Sequence, residues 1–181
     1  MSILKRQTGG ATVATLVIFL MPARLAAQAE LVRDPLMDHL VGDWILTGKI
    51  AGRDAHHDVK ASWVLNRQFL RIDEKTSASA PPGERRYEAI WFLGYDPSKS
   101  QYALHLLDLF GAQFAETIGH GTRVENAITF RFDYPDAPLD NTYRWNRDAD
   151  EWQWLMEQQD KAGAWSSWAV LHLTRRTSRS R

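Results

Sequence analysis

Any chemistry in this chain must come from a handful of histidines and carboxylates, because the sequence contains no cysteine and therefore no thiol nucleophile or thiolate ligand. The densest group is "RDAHHD", with His56 and His57 between Asp54 and Asp58. Imidazole and carboxylate are ordinary ligands of a divalent metal. On a strand, however, adjacent side chains leave on opposite faces, so the four residues do not converge, and no metal is expected. His105 and Asp108 in "HLLDL" stand in an otherwise apolar run, where a polar side chain needs a partner. They too point to opposite faces of a regular strand, and Asp108 before "LFG" also fits a carboxylate that accepts backbone amides in a turn. Glu116, His120, Arg144 and Glu157 are further candidates for a pocket, and each equally suits a solvated face. No nucleophile, base and orienting group fall at mutually sensible positions, so a binding protein is favoured over an enzyme.

The elements that would position these residues are strands. From residue 42 onward the chain reads as ten short strand-like runs divided by clusters of Gly, Pro, Asp, Asn and Ser. They are "DWILTGKI", "HDVKASWVL", "QFLRIDEKT", "RRYEAIWFL", "QYALHLLDL", "QFAETIG" (113–119), "RVENAITFRF" (123–132), "NTYRWN", "EWQWLMEQQ" and "WSSWAVLHLTR". No long helical period interrupts them, which predicts antiparallel neighbours joined by hairpins. A two-residue turn at Asn66 and Arg67 would set Trp63 opposite Leu70, Ala61 opposite Ile72 and Val59 opposite Glu74, giving one nearly apolar face. "AIWFL" and "ALHLL" alternate less cleanly, which predicts cover on both faces from a helix in "DPLMDHLV" or from a second subunit in a homodimer. Closing such a meander into a barrel removes its unpaired edges and can enclose a small ligand.

Before the strands, residues 1–29 read as a secretory signal. Lys5 and Arg6 precede an apolar run of 11 residues, and small residues at 27 and 29 offer a cleavage site. The run is shorter than the roughly 20 residues a membrane-spanning helix needs, so no membrane span is expected after cleavage, and the destination is periplasmic or secreted. Retention of the segment as an anchor, with Arg24 beside it, is the alternative. Residues 30–41 are a lead-in with a short helix, 42–176 the barrel and 177–181 a basic tail. The chain without its first 29 residues keeps all 22 acidic groups and 19 of the 22 basic ones, a net charge of −3. That balance gives no reason to expect nucleic acid as a partner.

Gly42 and Trp44 open the first strand, and Arg175 closes the last in "HLTRR". Gly42 permits a sharp entry, Trp44 can plug the narrow end, and the Arg175 guanidinium can lie over that indole. A Gly-x-Trp at the first strand with a terminal arginine resembles the signature of the calycin superfamily, which includes lipocalins and fatty-acid-binding proteins. More narrowly, "LVGDWILTGKI", "SWVLNRQFLR", "YEAIWFLGYDPSKSQY", "LLDLFG" and "LTRR" resemble a bacterial family of lipocalin-like barrels known only as a domain of unknown function. The similarity spans roughly residues 38 to 176. Two positions depart from that pattern: Asn66 and Arg67 replace an expected glycine turn, and Leu106 replaces a larger aromatic. The resemblance implies an all-β, antiparallel, lipocalin-like barrel of about ten strands with a short helix before the first.

It also implies a ligand, since such barrels commonly hold small hydrophobic molecules. Trp63, Trp91, Trp145, Trp154 and Trp168 lie in the strand runs and can grip an apolar ligand, with His105, Asp108 or Glu116 orienting it. Equally, the tryptophans can fill a solid core, which would leave the outer face to bind a protein partner. No cofactor is expected. Some ten-stranded relatives bind haem through a histidine near the carboxyl terminus, which makes His172 the alternative haem ligand.

Overall fold

Alternation of apolar and polar side chains builds every wall of this molecule, and the computed structural model shows where each wall pairs. It describes residues 34–113, 115–135 and 137–177. The expected signal at 1–29, the start of the lead-in and the last four residues of the tail lie outside the described residues.

A four-residue helix, α1 (Pro35–Asp38), comes first. Asp34 caps it, its carboxylate accepting the Leu36 N–H at 2.8 Å, and Pro35 supplies the fixed φ suited to a first helical position. Ten strands follow: β1 (Gly42–Ile50), β2 (Arg53–Val64), β3 (Phe69–Thr76), β4 (Glu88–Asp96), β5 (Gln101–Asp108), β6 (Ile118–Val124), β7 (Ala127–Phe132), β8 (Leu139–Asn146), β9 (Glu151–Gln159) and β10 (Trp165–Arg175). Each pairs antiparallel with its chain neighbours, and β1 pairs with β10, so the sheet closes as an up-and-down barrel. Closure satisfies the backbone groups that an open edge would leave unpaired. Among the described residues no helix is long and apolar enough to cross a membrane.

The β2–β3 hairpin has the register its sequence implies, with Trp63 opposite Leu70, Ala61 opposite Ile72 and Val59 opposite Glu74. Asn66 and Arg67 occupy the left-handed region at φ 54° and 61°, the conformation a two-residue hairpin turn demands even without glycine. Two expectations need correcting. In the run 113–119, Gln113 ends a short 3-10 turn, residues 115–117 belong to no strand, and β6 begins only at Ile118. The single run 123–132 is broken by a turn at Glu125 and Asn126, where Glu125 takes φ 52° and ends β6 before β7 begins. A turn built from Glu-Asn carries none of the usual glycine or proline signal, so the hydrophobic pattern alone reads through it.

The two barrel ends differ. At one end, Trp44 is fully buried and its indole N–H donates to Leu40 O at 2.8 Å. The Arg175 guanidinium lies 4.2 Å from the centre of that ring and donates to Val41 O at 3.2 Å and His39 O at 3.1 Å. Gly42 fits beneath it at φ +137°, since a Cβ there would stand 2.9 Å from Arg175 Nη1. Helix α1 completes this closed end: Asp34 accepts from Tyr102 and Arg123, and Asp38 accepts from Trp63 and Arg67. At the opposite end the segment 77–87, spanning from β3 to β4, bonds to β2 through Ser77 and Glu84 and to the end of β5 through Tyr87.

Because α1 sits at the closed end, it is not the cover anticipated for β4 and β5. Their outer face pairs Ile90 with Leu107, Phe92 with His105, and His105 with Ile118 of β6. Cover there comes partly from the segment after β5, which folds back until Ala115 O lies 2.6 Å from His105 Nε2. Leu107 and Ile118 remain about two-fifths exposed.

Candidate functional site

Inward positions of β2, β3, β4, β8 and β9 converge on one polar cluster in the half of the barrel nearer the spanning segment. Strand β2 begins at Arg53, four residues before the run read from sequence, so His57 lies inside the strand on its inward face with Ala55 and Val59. Glu74 is the inward residue of β3 two places beyond Ile72. The pair is diagonal across the hairpin, and His57 Nδ1 is 2.6 Å from Glu74 Oε1. Both side chains are almost entirely buried, at 4% and 3% exposure. The second oxygen of Glu74 accepts the Trp91 indole N–H at 3.1 Å.

The spanning segment adds two residues to this cluster. Glu84 reaches down so that Oε1 accepts the His56 backbone N–H at 2.8 Å and stands 3.4 Å from His57 Nε2. Tyr87 stacks over the His57 ring at 5.7 Å between centres and donates a long hydrogen bond, 3.4 Å, to Asp108. Ser77 N donates to His56 O at 2.9 Å and Tyr87 N to the Thr76 hydroxyl at 2.7 Å, pinning both ends of the segment to the rim.

Below the carboxylates lies an aromatic stack. Trp91 meets Trp154 edge to face at 5.3 Å, and Trp154 stacks on Tyr143 at 4.7 Å. The Trp154 indole N–H donates to the Asn141 side-chain oxygen. Several buried polar atoms here have no well-formed hydrogen bond: Glu84 Oε2, and the Asn141 amide nitrogen and Tyr143 hydroxyl, which interact only with each other. An unpaired buried polar atom costs about 1–3 kcal/mol, so three in one cluster need a reason.

Burial and charge also act on the phenols. Desolvation, reinforced by the charge of Glu74, pushes the Tyr87 and Tyr143 hydroxyls well above the usual range. Desolvation likewise raises Tyr102, which bonds to Asp34, and Tyr134. A phenol whose folded pKa is raised favours the native state below its unfolded value near 10, and that contribution is lost as pH climbs toward the folded value. An absorbance titration at 295 nm should therefore fall short of full amplitude for the five tyrosines of the chain until alkaline unfolding releases the rest in one cooperative step. Full reversible amplitude near pH 10 in the folded protein would contradict the burial described.

The residues singled out in the sequence are distributed unevenly about this centre. Trp91 and Trp154 belong to it. Trp145 is also interior, but at the closed end, stacked under His39 at 4.8 Å and next to Trp152. Trp63 is half-buried beside α1, with Arg67 over its ring and Asp38 on its N–H. Trp168 sits on the outer surface at a register shift in β10. Asp108 lies at the rim, bonding Tyr87 with one oxygen and the Phe110 N–H with the other, the second being a turn contact. His105 faces outward, and Glu116, His120, Arg144 and Glu157 are exposed. Asp54 pairs with Lys49 and Asp58 with Arg176, so the "RDAHHD" run is split between an outer charged face and the inward His57.

His172 also faces outward, between inward Leu171 and Leu173, with Glu151 4.0 Å away. Its ring therefore cannot ligate a haem held inside the barrel.

No family model matches the chain, and no curated protein matches it. Among solved structures it is similar to Rv2717c from M. tuberculosis, at 16% identity and a TM-score of 0.50, over 80% of this chain and 99% of the other. The likeness is one of fold.

Proposed function

We propose that this protein is a lipocalin-like binder of a small, largely apolar molecule, held in the half of the barrel nearer the spanning segment. The observation that carries the reading is the set of unpaired polar atoms on Glu84, Asn141 and Tyr143, buried around the face of an aromatic stack. A ligand there would bury its apolar surface against Trp91, Trp154 and Tyr143, and its polar ends would complete the missing hydrogen bonds. Entry requires the Glu84 and Tyr87 contacts of the spanning segment to part, because those side chains roof the cluster. The signal-like residues 1–29 support an exported location for this binder.

Tyr143→Phe tests the reading with a split outcome. The substitution removes an unpaired hydroxyl from a site that is 2% exposed, so stability should stay within about 0.5 kcal/mol or rise by about 1 kcal/mol. Ligand retention, measured as the fraction of bound mass in a native spectrum, should fall by at least fivefold. A loss of stability with retention unchanged would make the hydroxyl a packing group and remove it from the site.

A second reading has its own observation. Ile90, Phe92, Leu107 and Ile118 lie on the outer face of β4 to β6, around His105. If the interior takes no ligand, that face is where a protein partner or a second copy would dock.

A further inference from the structure

The charges around the aromatic stack are unbalanced in a way that specifies the ligand further. This step rests on the binding reading above and concerns the same site. Glu74 and Glu84 are buried on either side of His57, and Asp108 adds a third carboxylate through Tyr87. Against these three stands one imidazole, and no lysine or arginine is buried among the described residues. The cluster thus brings more carboxylates than basic groups next to indole and phenol rings. Buried carboxylates require a countercharge or a full set of donors, and Glu84 Oε2 has neither. Electron-rich ring faces attract cations for the same electrostatic reason. Asn141, fully buried with an unpaired amide nitrogen, calls for an acceptor as well.

We infer that the ligand is a small organic cation, a protonated amine on a ring system that also carries a hydrogen-bond acceptor. The ammonium group supplies the donor that Glu84 Oε2 lacks, the ring lies against the aromatic stack once Glu84 and Tyr87 part, and the acceptor takes the Asn141 amide and Tyr143 hydroxyl. The preference is for positive charge over an equally shaped neutral or anionic molecule, because the one unpaired carboxylate oxygen of the cluster, Glu84 Oε2, is an acceptor.

Isothermal titration of the purified protein with tyramine, 4-ethylphenol and 4-hydroxyphenylacetate separates these terms, since the three share a phenol ring and differ in the charge of the side arm. Tyramine should bind at least tenfold more tightly than 4-ethylphenol, and 4-hydroxyphenylacetate should be weaker still. Glu84→Gln should cost tyramine at least tenfold while leaving 4-ethylphenol within twofold, a selective loss that mere loosening of the segment would not produce. The wild-type comparison stands even if the variant folds poorly. Binding of 4-ethylphenol as tight as tyramine would overturn the charge inference and leave the binding reading intact. Binding of none of the three would also overturn it, and the native mass of the protein would then judge the binding reading separately.

Discussion

Gly48→Val should abolish the closed barrel. Gly48 lies in β1 opposite Leu171 of β10, on the seam where the first and last strands meet. A Cβ at this position would stand 2.1 Å from Val170 O and 2.9 Å from Leu171 Cα, both backbone atoms that cannot turn aside as a side chain would. Its φ of +146° adds strain that an L side chain rarely accepts. Overpacking and strain together are worth about 3 kcal/mol or more, a large fraction of a small domain's stability. The seam then has to separate, and ten strands that close only through β1 and β10 are left with two long edges. The expected result is loss of the cooperative urea transition, or a midpoint shift of that size, with aggregation on concentration. Gly83→Ala is the control. Its φ is +88° but nothing lies within 4 Å of the added Cβ, so only the backbone term of about 1 kcal/mol remains. Equal losses in the two variants would contradict the seam argument.

Glu74→Ala should be the most damaging change within the site. One carboxylate holds His57 Nδ1 and Trp91 Nε1, and its removal leaves both nitrogens without the partner they share, in surroundings that exclude water. Breaking a buried pair on one side typically costs about 3–5 kcal/mol, and the vacated volume adds to it. Glu157→Ala, on the exposed face of β9, should change stability by no more than about 0.5 kcal/mol. Denaturant melts of the two variants followed by tryptophan fluorescence measure the contrast. A Glu74 loss below 1 kcal/mol would mean that the cluster is not the buried, interdependent unit described. Ligand affinity provides the second readout, since Glu74 also orients the indole of Trp91.

Much of the barrel is written in local pattern. Period-two alternation locates most strands, and the β2–β3 register follows from pairing the apolar residues of two runs across a two-residue turn. The course of β6 and β7 is not written this way, because Glu125 and Asn126 turn the chain without the residues that usually announce a turn. The polar cluster was partly within reach. Once Val59 is set opposite Glu74, His57 falls two residues away on the same inner face, at the diagonal distance where long side chains meet. What concealed it was the start of β2: "RDAHH" has no hydrophobic alternation, so His57 reads as the edge of a turn. Glu84 and Tyr87 were further from reach. They belong to a segment without periodicity, and only the closed barrel brings them over His57. Trp168 was within reach too, since alternation with inward Ala169, Leu171 and Leu173 sends it to the outer surface with Val170 and His172.

The most direct test of the binding account is a native mass spectrum of the wild-type protein purified from its own host, set beside its denatured mass. The account expects a discrete additional mass that disappears on denaturation and is strongly diminished in Tyr143→Phe prepared in the same way. A native mass equal to that of the bare chain would contradict the account and leave the outer face of β4 to β6 as the surface through which the protein acts.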